Sequence, residues 1–379
     1  MSAAVATFLQ KKMNETVYLA ALNKCFFGNW KLAHSLLQHF GSAQAVFSAG
    51  RKLLSQLLPG MDAAVGHLTD GQLPEAAFDE LEYCRKEGLE AISITDDGYP
   101  SRLAQTPEAP LVIFKKGSRQ LNGARFLSIV GTRHCTPHSK KYCEMVAEFL
   151  SSLKVKPVIV SGMAYGIDTL AHQSALRYGL DTIAVTATGL DTVYPASNRN
   201  LSLQIEERGA IVTEFWSGTD PFPSNFVSRN RMVAGMSDGT LVIESRLRGG
   251  SLITARAAFN YDREVFAFPG KIEEENFAGC NELIAADIAH LVRGAEDICR
   301  ELEWASEGRN TAGLRHNRWD ALPPEKRFVL QTLKRGGEMD AAQIAACCGS
   351  GVSYVSRLLL EMEIEGLVRH ISANKYVNL

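Results

Sequence analysis

The sequence predicts an α/β fold: a doubly wound, mostly parallel sheet, preceded by a helical domain and followed by a smaller domain of helices and a hairpin. Three observations predict it. A series of short apolar runs alternates with helical stretches: Phe126–Val130, Pro157–Val160, Thr182–Val185, Ala210–Thr213, Gly239–Ile243 and Glu264–Phe268. Such runs are what parallel strands buried on both faces look like. Most of them end in Gly, Ser or Thr close to where a helix begins. On either side, residues 15–60 and 321–363 carry helical periodicity instead.

Taken in order, residues 1 to about 15 read as a loose start. Short amphipathic helices follow at Val17–Cys25, Trp30–Phe40, Ser42–Ala49 and Arg51–Leu58, with Gly41 and Gly50 in C-cap positions. Residues 1–90 are expected to form a domain of the SAM or helix-hairpin-helix kind. Only Gly28 lies in its first turn, so packing or protein contact is the expected role. Helix Pro74–Lys86 leads into strands Ala91–Thr95 and Leu111–Phe114, which should extend the edge of the central sheet. That sheet belongs to an extended Rossmann-like domain over 91–303. Residues 304–320 are polar and charged, and read as a linker. In the last domain, 321–379, helices at Pro324–Lys334, Ala341–Cys348 and Val352–Glu363 precede strand Leu367–Ile371, a turn at 372–375 and strand Tyr376-Val377. That order is a winged helix-turn-helix.

Composition narrows the function. Lys and Arg number 40 against 42 Asp and Glu, a net charge of −2, so any basic surface must be local. The 8 cysteines include no C-x-x-C pair, and no secretory leader is evident. Reduced thiols in a cytoplasmic protein are expected. No apolar run approaches the ~20 residues of a membrane span. No metal-ligand spacing and no nucleotide-cofactor fingerprint appears, so no cofactor is expected.

The carboxyl ends of parallel strands converge on one crevice. Gly131, Thr132 and Arg133 arrive there, with Ser161, Gly162, Tyr165 and Gly166, and with Gly250 and Ser251. Loop Ser228–Arg231 adds Arg229 and Arg231 flanking Asn230. Glycines admit an anion close to backbone N–H groups, and guanidinium forks bind phosphate oxygens. Tyr165, Tyr194, Phe222 and Phe226 are candidate stacking partners for bases, which suits a single-stranded nucleic acid. Glu244, ending the fifth strand of the central domain, supports an alternative: a hydrolase or sensor of nucleotide derivatives with Glu244 as general base. A winged-helix transcription regulator is a further alternative, opposed by Glu361, Glu363 and Glu365 around the third helix. His172 reads as a satisfied structural histidine.

Val130-Gly-Thr-Arg133, Ser161-Gly-Met-Ala-Tyr-Gly-Ile-Asp168, Gly189-Leu-Asp191, Ser228-Arg-Asn-Arg231, Gly250-Ser-Leu-Ile-Thr-Ala255, Arg263–Gly270 and Gly279–Ile284 together resemble the DprA/Smf family. Val227 and Gly249 depart from residues frequent there. The resemblance implies a non-enzymatic DNA-processing protein of natural transformation. It would bind and protect single-stranded DNA and help load RecA past single-strand-binding protein, as a homodimer through the Rossmann domain. It points to Arg133 and the Arg229–Arg231 loop for DNA contact, with Gly131, Ser161 and Gly162 as donors.

Overall fold

The computed structural model describes residues 15–304, 322–365, 367–371 and 375–378. The loose start, the linker and the 372–375 turn lie outside the described residues apart from their end positions. Contacts divide the chain into two compact units, Met1–Glu307 and Gly308–Leu379. No helix among the described residues is long and apolar enough to cross a membrane.

The first unit opens with helices α1 (residues 15–25), α2 (Trp30–Phe40), α3 (Ala43–Ser48), α4 (Arg51–Leu57), α5 (Asp62–Thr69) and α6 (Gln72–Lys86). Local chemistry sets their ends. Gly41 closes α2 in a left-handed conformation (φ 80°), donating its N–H to the Leu37 carbonyl. Ser42 caps α3 by accepting from Ala45 N at 3.1 Å, and Glu15 accepts from Ala43 N at 2.7 Å. Gly50 does not play the expected part. It is extended and precedes α4, because α3 has already ended at Ser48 with Ala49 extended.

The sheet has nine strands: β1 (Glu90–Ser93), β2 (Val112–Lys116), β3 (Phe126–Val130), β4 (Val158–Ser161), β5 (Thr182–Val185), β6 (Ala210–Thr213), β7 (Gly239–Val242), β8 (Glu264–Ala267) and β9 (His290–Leu291). Their spatial order is β1-β2-β6-β5-β4-β3-β7-β8-β9. From β6 to β9 every neighbouring pair is parallel; β1 and β2 add antiparallel at the β6 edge. Helices α7 (Ser101–Ala104), α8 (Pro137–Ser151), α9 (Ile167–Arg177), α10 (Arg199–Arg208), α11 (Pro223–Gly235), α12 (Ser251–Asn260), α13 (Ala278–Ala285) and α14 (Ala295–Glu301) connect and cover the strands. The chain leaves β3 towards β6, then returns to its other side with β7. The order therefore reverses between β3 and β7, the place where open α/β sheets form a binding crevice.

The β1–β2 extension is fastened in two ways. Arg102 pairs with Asp238 at 2.6 Å and donates to the Gly123 and Ala124 carbonyls, while Asp238 also accepts from Phe126 N at the start of β3. On its other side, β2 lends Val112 and Phe114 to the core that the N-terminal helices build from Leu19, Leu22, Leu36 and Leu54.

The second unit comprises α15 (Pro324–Gly336), β10 (Met339–Asp340), α16 (Ala341–Cys348), α17 (Val352–Ile364), β11 (Val368–Ile371) and β12 (Lys375–Asn378), with strand order β10-β12-β11. Asp340 and Gln343 form a reciprocal capping box at the start of α16. Leu330, Ile344, Val355, Leu359 and Met362 make a separate core.

Candidate nucleic-acid interface

The loops after β3 and β4 meet at the carboxyl end of β3, beside the crossover to β7. After β3, Thr132 is tied at three atoms. Its N–H donates to the Glu244 carbonyl at 2.8 Å, its carbonyl accepts from Ile167 N at 3.1 Å, and its hydroxyl oxygen accepts from His134 N at 3.2 Å. Gly131 and Gly166 allow this closeness. A Cβ on Gly131 would sit 2.9 Å from the Glu244 carbonyl oxygen, and one on Gly166 (φ 77°) would sit 2.7 Å from the Arg133 carbonyl. The result is a rigid platform on which Arg133 stands exposed. Its guanidinium lies 4.8 Å from the centre of the Phe226 ring, and Tyr194 meets the same ring edge-on at 5.5 Å. Arg133 has no ion-pair partner among the described residues. Tyr165, on the loop before α9, and Phe222, before α11, are also largely exposed.

Arg229 and Arg231 correct the expectation from sequence, for both are buried. Arg229 donates to the Gly162 carbonyl, to the Val185 carbonyl at 2.7 Å and to Asn230 Oδ1 at 3.1 Å. It pins the ends of β4 and β5 from beneath. Asp168 shares that space: burial raises its carboxyl above the ordinary value, opposed chiefly by the Arg229 charge. Arg231 faces elsewhere. It pairs with buried Glu214, donates to the Glu108 carbonyl and lies 4.4 Å from the centre of the Trp30 ring. Neither guanidinium is open to a phosphate.

Other candidates divide in the same way. Ser161 is buried and donates to the Ile129 carbonyl at 2.7 Å. Gly162 is buried over Arg229. Ser251 is buried and donates to Ser245 Oγ at 2.8 Å. Gly250 is exposed at the start of α12, with Asn230 Nδ2 reaching its carbonyl at 3.5 Å. Ser161 and Ser251 thus support the platform, while Arg133, Tyr165 and Gly250 face outward.

Glu244 is also corrected. It is fully buried, and its carboxylate accepts from Thr136 N and Thr136 Oγ1 at 3.1 Å each and from Ser139 Oγ. It holds the loop into α8 and has no access to a substrate. Sequence reasoning passed over Arg248 and Arg256, which are exposed and lack ion pairs among the described residues. The available signal was the lack of any acid from Ser245 to Tyr261.

His172 is buried, as expected of a structural histidine, but it is not fully satisfied: Nε2 has no hydrogen-bond partner among the described residues. Thr182 Oγ1 donates to the Ile159 carbonyl, so it accepts from His172 Nδ1 at 2.7 Å. Burial, reinforced by the charge of Arg229, lowers the imidazole from 6.5 to about 3. The unfolded chain therefore binds the extra proton first as pH falls. Stability from this site is complete above about pH 6.5 and is lost towards pH 3 at up to ~1.4 kcal/mol per pH unit. Denaturant titrations across that range should give His172→Asn a shallower acid dependence than the parent; identical slopes would refute the assignment.

Residues 90–303 match the family model described as DNA recombination-mediator protein A. The chain is 40% identical over 214 residues to DNA processing protein DprA of Streptococcus pneumoniae, covering 56% of this chain and 74% of that protein. It is 32% identical over 335 residues to protein Smf of Synechocystis, covering 79% and 82%. Among solved structures, DNA processing protein A from S. pneumoniae aligns with a TM-score of 0.56 at 31% identity, over 72% of this chain and 97% of that one. DNA processing protein A from Helicobacter pylori, whose single-stranded DNA binding mode has been described structurally, aligns with a TM-score of 0.51 at 28% identity, over 57% and 96%.

Proposed function

Because the chain belongs to the DNA recombination-mediator protein A family, we propose that it binds single-stranded DNA along the rim at the carboxyl ends of β3 and β4, beside the crossover to β7. One observation carries the reading: exposed Arg133 over Phe226, beside exposed Tyr165, on a platform whose glycines bring the two loops together. A guanidinium meets phosphate while neighbouring rings take unpaired bases, and a duplex keeps its bases out of reach. Binding of this kind is nearly blind to sequence. Protection of the strand, handover to RecA against single-strand-binding protein, and homodimerisation through the Rossmann-like sheet complete the proposal.

The remaining parts fit around it. The second unit is read as a winged helix-turn-helix. Its third helix, α17, ends among Glu361, Glu363 and Glu365, which oppose phosphate and favour protein contact. The N-terminal helices are read as a SAM-like module for packing or protein contact.

A gel shift with single- and double-stranded oligonucleotides at two salt concentrations tests the proposal. The single strand should bind more tightly, and its affinity should fall steeply with salt. Equal affinity for duplex, or binding indifferent to salt, would contradict it.

A further inference from the structure

We propose that single-stranded DNA continues from the rim across the outward face of α11 and α12, so that the binding track is longer than the Arg133 platform; this rests on the DNA reading above. Five large apolar side chains are exposed within one segment: Phe222 (59%), Val227 (51%), Leu247 (60%), Ile253 (44%) and Phe259 (50%). Exposed Arg248 and Arg256 stand among them in sequence, and neither has an ion pair among the described residues. No acid balances them within the segment. Glu244 is buried against the loop into α8, and Asp238 is clamped by Arg102.

The face joins the rim directly. Both helices begin there, α11 at Pro223 after β6 and α12 at Ser251 after β7. They pack against each other, and Asn230 bridges from α11 to the Gly250 carbonyl. On α12, Ile253 and Arg256 are three residues apart and so share one side of the helix. An apolar seat next to an unpaired guanidinium suits a nucleotide: the base rests on aliphatic surface and the phosphate meets the fork. A protein partner would have to bring its own acids to such a face.

The test compares oligo-dT of about 6 and about 20 nucleotides, lengths chosen to fill one platform or to overrun it. Fluorescence anisotropy is read across a salt series, using the full chain and the variants R248A/R256A and Ile253→Ser. All three positions are exposed, so melting temperatures should match the parent. For the double variant, affinity for the longer strand should fall about tenfold and the log–log salt slope by about 1.4, at ~0.7 per lost phosphate contact. Affinity for the shorter strand should stay unchanged. Ile253→Ser should weaken the longer strand while leaving the salt slope intact. An unchanged longer strand, or equal losses for both lengths, overturns the extended track and leaves the Arg133 platform standing. No binding of either length by the parent chain overturns the DNA reading and the track with it.

Discussion

Arg133→Ala is expected to weaken single-stranded DNA binding by about ten- to a hundredfold, the ~1.5–3 kcal/mol of a hydrogen bond to a charged group. The loss should come without loss of stability. Arg133 is exposed, has no ion pair among the described residues, and touches the fold through the face of Phe226. Its removal also frees that ring, so the variant tests the cation and its aromatic seat together. Arg133→Lys separates the two: it keeps the charge and loses the fork, and should recover part of the affinity with most of the salt dependence. Anisotropy titration beside a thermal melt checks both. Full affinity in Arg133→Ala with an intact fold would remove the basis for placing DNA at this crossover.

Arg231→Ala should do the opposite, costing about 3–5 kcal/mol of stability because it strands Glu214 as an unpaired buried charge. The lost contact with Trp30 adds to this, since that ring belongs to α2 while Arg231 lies on α11. Replacing both partners, Arg231→Met with Glu214→Gln, should cost less than the single change, as no bare charge is left inside. Urea denaturation of the three variants gives the comparison. If Arg231→Ala melts like the parent and yet fails to bind DNA, the residue belongs to the interface after all and the structural role assigned to it is wrong.

These two arginines show what could be read in advance and what could not. The strands were legible because a parallel strand covered on both faces must be apolar at nearly every position, as Phe126–Val130 is. Arg133 was legible because it follows such a strand directly. Arg229 and Arg231 look the same in sequence as exposed cations, and their partners come from distant segments: the Gly162 and Val185 carbonyls, and Glu214. One local signal was available. Residues two apart on a helix point about 200° from each other, so 229 and 231 could not both face one ligand. Ser228–Arg231, read from the sequence as a loop, lies inside helix α11, which begins at Pro223 because Pro is well placed in a first turn. The short helix α5 was missed because its apolar residues, Val65 and Leu68, make too brief a pattern to stand out.

The core shared between the N-terminal helices and β2 has a consequence for how the molecule can be divided. The family match begins at residue 90, close to the end of α6, which invites cutting the chain there. Yet Leu111, Val112 and Phe114 are covered by helices that precede that position. A fragment trimmed to the matching region would keep all nine strands of the large sheet and wear an oily flank that the whole protein never shows to water.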